Sequence, residues 1–165
     1  MKKVAIIMGS DSDLKVMQGA METLSALEIP YAVRVLSAHR TPQAAADFAQ
    51  SALEEGYGAI IAAAGKAAHL AGAMAANTIL PAIGVPLKSS TLDGLDALLS
   101  TVQMPSGMPV ATVAIDGAVN AALLAAQILA LSDEALSERF ADYRTAQARK
   151  VATKDAEIST LYSRL

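Results

Sequence analysis

Val4-Ala5-Ile6-Ile7-Met8-Gly9-Ser10-Asp11-Ser12-Asp13 is the stretch that decides the fold. Its first five residues are apolar without alternation, the pattern of a parallel strand covered on both faces. A polar loop follows at once, and a helical pattern opens at Leu14. Similar apolar runs recur at 31–36, 59–63, 82–85 and 110–115, separated by helical patterns at about 13–27, 42–55, 68–78, 92–102 and 118–131. Five strands alternating with helices predict an α/β fold, a three-layer sandwich around a five-stranded parallel sheet. The expected strand order is 2-1-3-4-5, with the switch point between strands one and three. That order gathers the loops after Met8, Leu36 and Ala63 around one crevice.

The composition is consistent with that core. A chain of 165 residues with 53% hydrophobic residues forms one domain with ample material to bury. Charged residues make up 18%, below the roughly 25% usual for soluble domains, so much of the surface is expected to lie against other copies of the chain. The net charge of −3 and the lack of a basic patch with interleaved aromatics argue against a nucleic-acid partner. With no cysteine, a disulfide framework, a thiolate metal site and thiol redox chemistry are excluded. The apolar run behind Lys2-Lys3 ends at Met8, too short for a secretory signal. The alanine-rich runs at 59–64 and 67–76 are interrupted by Gly65, Lys66 and His69, so no membrane span is expected. The expected location is cytoplasmic. Residues 1–131 read as the catalytic α/β domain. Residues 132–165, opened by the acids Asp133 and Glu134, read as a C-terminal amphipathic helix packing on a neighbouring subunit.

Three loops carry the chemistry. Gly9-Ser10-Asp11-Ser12-Asp13 offers helix-start amides, two hydroxyls and a glycine, the makings of a phosphate cradle, although Ser12 or Asp13 would also serve simply as a helix cap. Ser37-Ala38-His39-Arg40-Thr41-Pro42 delivers an imidazole and a guanidinium to the end of strand two, with Thr41 as the expected cap and Pro42 at the first helical position. Ala63-Ala64-Gly65-Lys66-Ala67-Ala68-His69 brings a lysine and the second histidine to the same edge. Gly65-Lys66 lacks the remaining residues of a Walker loop, and no Gly-x-Gly-x-x-Gly turn follows strand one, which disfavours nucleoside triphosphates and dinucleotides. The spacing of Asp11 and Asp13 also suits a magnesium-dependent phosphatase or a receiver-like module. The former needs the aspartate directly at the strand end, where Gly9-Ser10 intervene, and the latter needs an aspartate where the chain has Ala63-Ala64-Gly65.

In order along the chain, Met8–Asp13, Ser37–Pro42, Ala67-Ala68-His69-Leu70, Ile83-Gly84-Val85-Pro86, the run from Leu92 to Ser100, Val102-Gln103-Met104-Pro105 and Asn120–Ala125 resemble the N5-carboxyaminoimidazole ribonucleotide mutase family, the class I phosphoribosylaminoimidazole carboxylase catalytic subunits. The resemblance implies a flavodoxin-like sheet, a homo-octamer, and transfer of a carboxylate from the exocyclic nitrogen of an aminoimidazole ribonucleotide to ring carbon 4, without metal or organic cofactor. It further implies that Ser10, Ser12 and Asp13 bind ribose and phosphate, assisted by Ser37 and Arg40, and that His39 is the general acid/base with His69 as its catalytic companion. Ala64, Gly65, Lys66 and Ala67 would surround the migrating carboxylate, and segment 104–109 would lie near the ligand. A side chain of unperturbed pKa about 6.5 suits a step that first protonates the leaving nitrogen and then removes the ring proton. Lys66 and Ala71 depart from the mutase pattern, which has glycine and proline there. A basic residue at Lys66, the missing proline and Pro105-Ser106-Gly107 instead match related carboxylases that use free carbon dioxide, which stand as the alternative. His69 and Arg40 match the mutases.

Overall fold

A computed structural model describes residues 1–163. Five parallel strands, β1 (Lys3–Met8), β2 (Tyr31–Val35), β3 (Tyr57–Gly65), β4 (Ala82–Leu87) and β5 (Ala111–Thr112), form one sheet in the order β2-β1-β3-β4-β5. The helices are α1 (Leu14–Ala26), α2 (Pro42–Ser51), α3 (Leu70–Ala75), α4 (Leu95–Val102), α5 (Ala118–Ala130) and α6 (Glu134–Tyr162). The expected fold class and strand order are those observed, and the switch point lies between β1 and β3.

The continuous apolar runs are explained by two cores. Val4, Ile6 and Met8 of β1 join Ala59, Ile61 and Ala63 of β3 on the face covered by α1 and α5. Ala5 and Ile7 join Ile60 and Ala62 on the opposite face, under α2 and α3. Alternate residues of one strand thus enter different cores, and neither face reads as polar. Alanines at 121, 122, 125 and 126 keep α5 thin where it packs into the first core. Gly84 performs the same service on the other face: a Cβ there would lie 2.3 Å from Thr101 Cγ2 of α4.

Several elements differ from their expected bounds, each for a local reason. Helix α3 spans only Leu70–Ala75 within the expected 68–78, because the Asn77 amide donates to the Ala73 carbonyl at 2.9 Å and closes the helix. Strand β5 is reduced to two residues. Pro86 of β4 faces it with a carbonyl, taken by the Asp116 N–H at 2.9 Å, but has no N–H to return. The expected helix 92–102 begins as a tight turn at Leu92–Gly94, where three successive residues have positive φ, before α4 starts. Helix α6 docks its first turns on its own chain: Leu136 is fully buried in the first core, and Phe140 and Tyr143 pack against it. From Arg144 to Ser163 every residue is exposed. Arg164 and Leu165 of the expected C-terminal helix lie outside the described residues.

Candidate active site

At the carboxyl edge of the sheet, where β2, β1, β3 and β4 all end, lies a cleft of about 740 Å³. That volume falls in the range of small-molecule sites. All eleven residues singled out from the sequence line it: Ser10, Ser12, Asp13, Ser37, His39, Arg40, Ala64, Gly65, Lys66, Ala67 and His69.

The loop after β1 is organised around Ser10. Its hydroxyl accepts the Ser12 N–H at 3.3 Å, while the Asp13 carboxylate reaches back to the Ser10 N–H at 3.0 Å, a reciprocal capping box. Ser10, with extended backbone, therefore caps the single 3-10 turn Asp11–Asp13 that leads into α1, while Asp13, at the N-cap position of α1 itself with helical backbone, makes no side-chain cap bond. The Ser12 hydroxyl lies 3.0 Å from Ser10 Oγ and 3.3 Å from Asp13 Oδ1. Burial raises the Asp13 carboxyl above its ordinary 3.8, outweighing the bonds from the Ser10 and Gly9 backbone and the Ser12 hydroxyl that pull it down. The like charge of Asp11 adds a smaller push upward.

Loop Ser37–Thr41 is closed by its own bonds. The Ser37 N–H donates to Thr41 Oγ1 at 2.9 Å, and the Arg40 N–H donates to Ser37 Oγ at 3.1 Å. Thr41 occupies the cap position of α2 but makes no side-chain cap bond, since its hydroxyl is engaged with Ser37. The Arg40 guanidinium crosses to the first loop, where Nη2 donates to the Gly9 carbonyl at 2.8 Å. This bond fixes a cation beside the serine-rich turn while leaving its other N–H groups for an anion.

The third loop turns back on itself. Lys66 adopts a left-handed φ of 55°, and the His69 N–H donates to the Ala67 carbonyl at 2.9 Å. His69 is thereby aimed at the loop after β2. Its Nδ1 lies 2.8 Å from His39 Nε2, with the rings edge to face. One proton is shared across that contact, so His39 Nδ1 and His69 Nε2 are the nitrogens left for other partners.

Sequence reasoning missed Leu87, Lys88 and Ser89, which line the cleft from the end of β4. The local signal was weak, because Pro86 and Leu87 separate the fourth apolar run from Lys88, whereas Gly9 follows the first run directly. Segment 104–109 is not among the residues lining this cleft. Its Met104 instead lies where a Cβ on Gly72 would touch, at 3.3 Å. Among the described residues no group of three or more histidines, cysteines, aspartates and glutamates is placed to hold a metal ion. Asp11 and Asp13, the candidate magnesium pair, accept hydrogen bonds from Ser10 and Ser12.

Comparison with known proteins agrees with this arrangement. The chain is 56% identical over 144 residues to the N5-carboxyaminoimidazole ribonucleotide mutase of Pyrococcus abyssi, covering 87% of this chain and 83% of the relative. It is 52% identical over 163 residues to the protein of the same name from Mycobacterium tuberculosis, covering 99% and 94%. The crystal structure of Treponema denticola PurE superposes with a TM-score of 0.84 at 31% identity, covering 98% of both chains. The family model described as AIR carboxylase matches residues 3–150, and the chain belongs to that family.

Proposed function

We propose that this protein is an isomerase of purine biosynthesis that converts N5-carboxyaminoimidazole ribonucleotide to 4-carboxy-5-aminoimidazole ribonucleotide. The observation that carries the mechanism is the 2.8 Å contact between His39 and His69, both of which line the cleft. The phosphate and ribose bind at the Ser10–Asp13 turn beside Arg40 and Ser37, which sets the aminoimidazole over the histidine pair. His39 protonates the exocyclic nitrogen as the carbamate breaks, releasing carbon dioxide. Carbon 4 attacks that carbon dioxide, and His39 then removes the ring proton, regaining what it gave. Proton and carboxyl balance within one turnover. His69 acts through its hydrogen bond to His39, holding the ring and its tautomer while the proton moves.

The migrating carboxyl sits against the third loop, where Ala64 and Ala67 leave room and Ala63 and Ala68 are buried beneath. The N–H groups of Ala67 and Ala68 bond to no backbone carbonyl among the described residues and are free to meet it. Small apolar walls retain carbon dioxide between the two half-reactions.

The working assembly in this reading is a homo-octamer in the cytoplasm. Support for association comes from exposed apolar side chains at Leu95, Leu99 and Val102 on α4, and at Val151, Ile158 and Leu161 on the unpartnered length of α6. Among the described residues no helix is long and apolar enough to cross a membrane.

Isotopically labelled carboxylate followed from N5-carboxyaminoimidazole ribonucleotide, in unlabelled bicarbonate with carbonic anhydrase and without ATP, tests the reaction. Label retained in the carbon-carboxylated product is expected. Label lost to the pool, with faster product formation from 5-aminoimidazole ribonucleotide and carbon dioxide, would show instead a carboxylase.

A further inference from the structure

Strands β3 and β4 pair in register with Gly65 opposite Leu87, and each strand is followed by a lysine. Lys66 and Lys88 therefore leave the sheet side by side, and both line the cleft. The two strand ends from which they leave are close, since a Cβ on Gly65 would lie 3.4 Å from the Leu87 carbonyl oxygen and 3.8 Å from Ser89 Cβ. Lys88 Nζ is paired with Asp93 Oδ1 at 3.0 Å, whereas Lys66 has no acidic partner among the described residues. Lys66 also holds a left-handed φ of 55°, a conformation that costs a non-glycine residue and that glycine adopts freely. An exposed lysine is thus kept where glycine would be easier, with its charge uncommitted, on the wall of the cleft. The Arg40 and Ser10–Asp13 cradle belongs to the β2 and β1 end, and the two lysines belong to the β3 and β4 end. The histidine pair bridges the loops that follow β2 and β3. The cleft accordingly has a cationic group at either end of its proton-transfer centre.

We propose that Lys66, with Lys88 beside it, forms a second anion subsite that takes the carboxylate of the carboxylated aminoimidazole ribonucleotide. The assignment rests on the mutase reading and extends it to a residue that sets which nucleotides the site prefers. An ammonium here favours the charged carboxylates of substrate and product over the neutral carbon dioxide between them. It therefore strengthens ground-state binding more than it lowers the barrier. Asp93 competes for Lys88 and moderates the same subsite.

Calorimetric titration with 4-carboxy-5-aminoimidazole ribonucleotide and with 5-aminoimidazole ribonucleotide, which lacks the carboxylate, tests this. Lys66→Gly should raise Kd for the carboxylated nucleotide about tenfold or more, the scale of one lost charge-assisted hydrogen bond, and change Kd for the other less than about twofold. Lys66→Met, which keeps the left-handed backbone and the side-chain length, should weaken the carboxylated nucleotide to the same extent. In turnover, KM for the carboxylated substrate should rise while kcat holds or increases. Lys66→Gly should melt no lower than wild type, separating lost charge from lost folding. Asp93→Asn, which frees Lys88, should tighten the carboxylated nucleotide. Equal weakening of both nucleotides would place Lys66 on the phosphate and overturn the assignment, as would unchanged affinity for both. Wild-type protein that binds neither would instead overturn the mutase reading, and the subsite with it.

Discussion

Replacing His39, His69 or both with asparagine tests whether one histidine does the proton transfer through the support of the other. A positioned general acid/base contributes about a hundredfold to ten-thousandfold. At 1.36 kcal/mol per decade, His39→Asn should therefore cost about 3–5 kcal/mol of transition-state stabilisation. His69 touches His39 through one hydrogen bond of 2.8 Å. A hydrogen bond to a group that becomes charged is worth about 1.5–3 kcal/mol, so His69→Asn should lower kcat about 10- to 150-fold. If His69 acts only through His39, its loss costs nothing further once His39 is gone, and the double variant should match His39→Asn. Both rings are exposed, so neither change opens a cavity, and melting temperatures should stay within about 2 °C of wild type. The assay is steady-state conversion of N5-carboxyaminoimidazole ribonucleotide, with Kd for the carbon-carboxylated product measured alongside. KM and that Kd should change less than about threefold, because the phosphate cradle is untouched. Turnover of His39→Asn within tenfold of wild type would refute the proton-transfer role. Independent, multiplicative losses in the double variant would refute the relay and give His69 a task of its own.

Arg40→Ala should raise Kd for the nucleotide product about tenfold or more and leave kcat at saturation within about threefold, since the guanidinium beside Gly9 binds rather than transfers a proton. Unchanged affinity by calorimetry would remove it from the phosphate site. Gly84→Ala forces a Cβ to within 2.3 Å of Thr101 Cγ2 and 3.1 Å of Val110 Cγ1, so overpacking should cost about 1–3 kcal/mol and lower the melting temperature by about 2–12 °C. An unshifted melting curve would mean that α4 moves aside freely. Asp13 titrates higher in the folded protein than its ordinary 3.8, so the folded state binds more protons there and stability falls as pH rises from about 3.8 through its folded value. Denaturant titrations of wild type and Asp13→Asn across that interval should show this downward component only in wild type, and parallel curves would contradict it. Light scattering should give an octamer for the full chain, and removal of residues 146–165 should lower the assembly state if the exposed length of α6 packs on neighbours. A monomeric full chain would contradict both expectations.

The sheet was legible because both of its faces are buried. A strand covered on two sides must be apolar at every position, so 4–8, 59–63 and 82–85 stand out as unbroken runs, while the edge strand at 31–36 is interrupted by Arg34 and exposed at Tyr31 and Val35; the loops at the carboxyl ends of all four carry the polar residues. With the expected strand order, that placed the loops after Met8, Leu36 and Ala63 around one crevice, and the family resemblance supplied the roles of the residues within them. Strand β5 was overdrawn because its pairing depends on Pro86 in another strand, which no local pattern reveals. Helix α3 was overdrawn because Asn77 ends it with a side chain that reads as harmless within a helical run. Lys88 was missed because its significance comes from standing next to Lys66 across the β3–β4 pair, a relation of register rather than of spacing.

The sequence by itself determined the fold class and the residue types delivered to the cleft, since these follow from local periodicity and strand–helix alternation, whereas right-handed connections allow more than one doubly wound strand order and the tertiary pairing selected β2-β1-β3-β4-β5. Tertiary structure decided which atoms meet: that the Ser10 side chain caps the turn leading into α1, that Arg40 spans to Gly9, and that the ring nitrogens of His39 and His69, thirty residues apart, lie 2.8 Å from each other. A hydrogen bond is fixed to within tenths of an ångström by the backbone on either side. That precision comes from packing strands from distant parts of the chain against one another, and the identities of the two residues do not contain it.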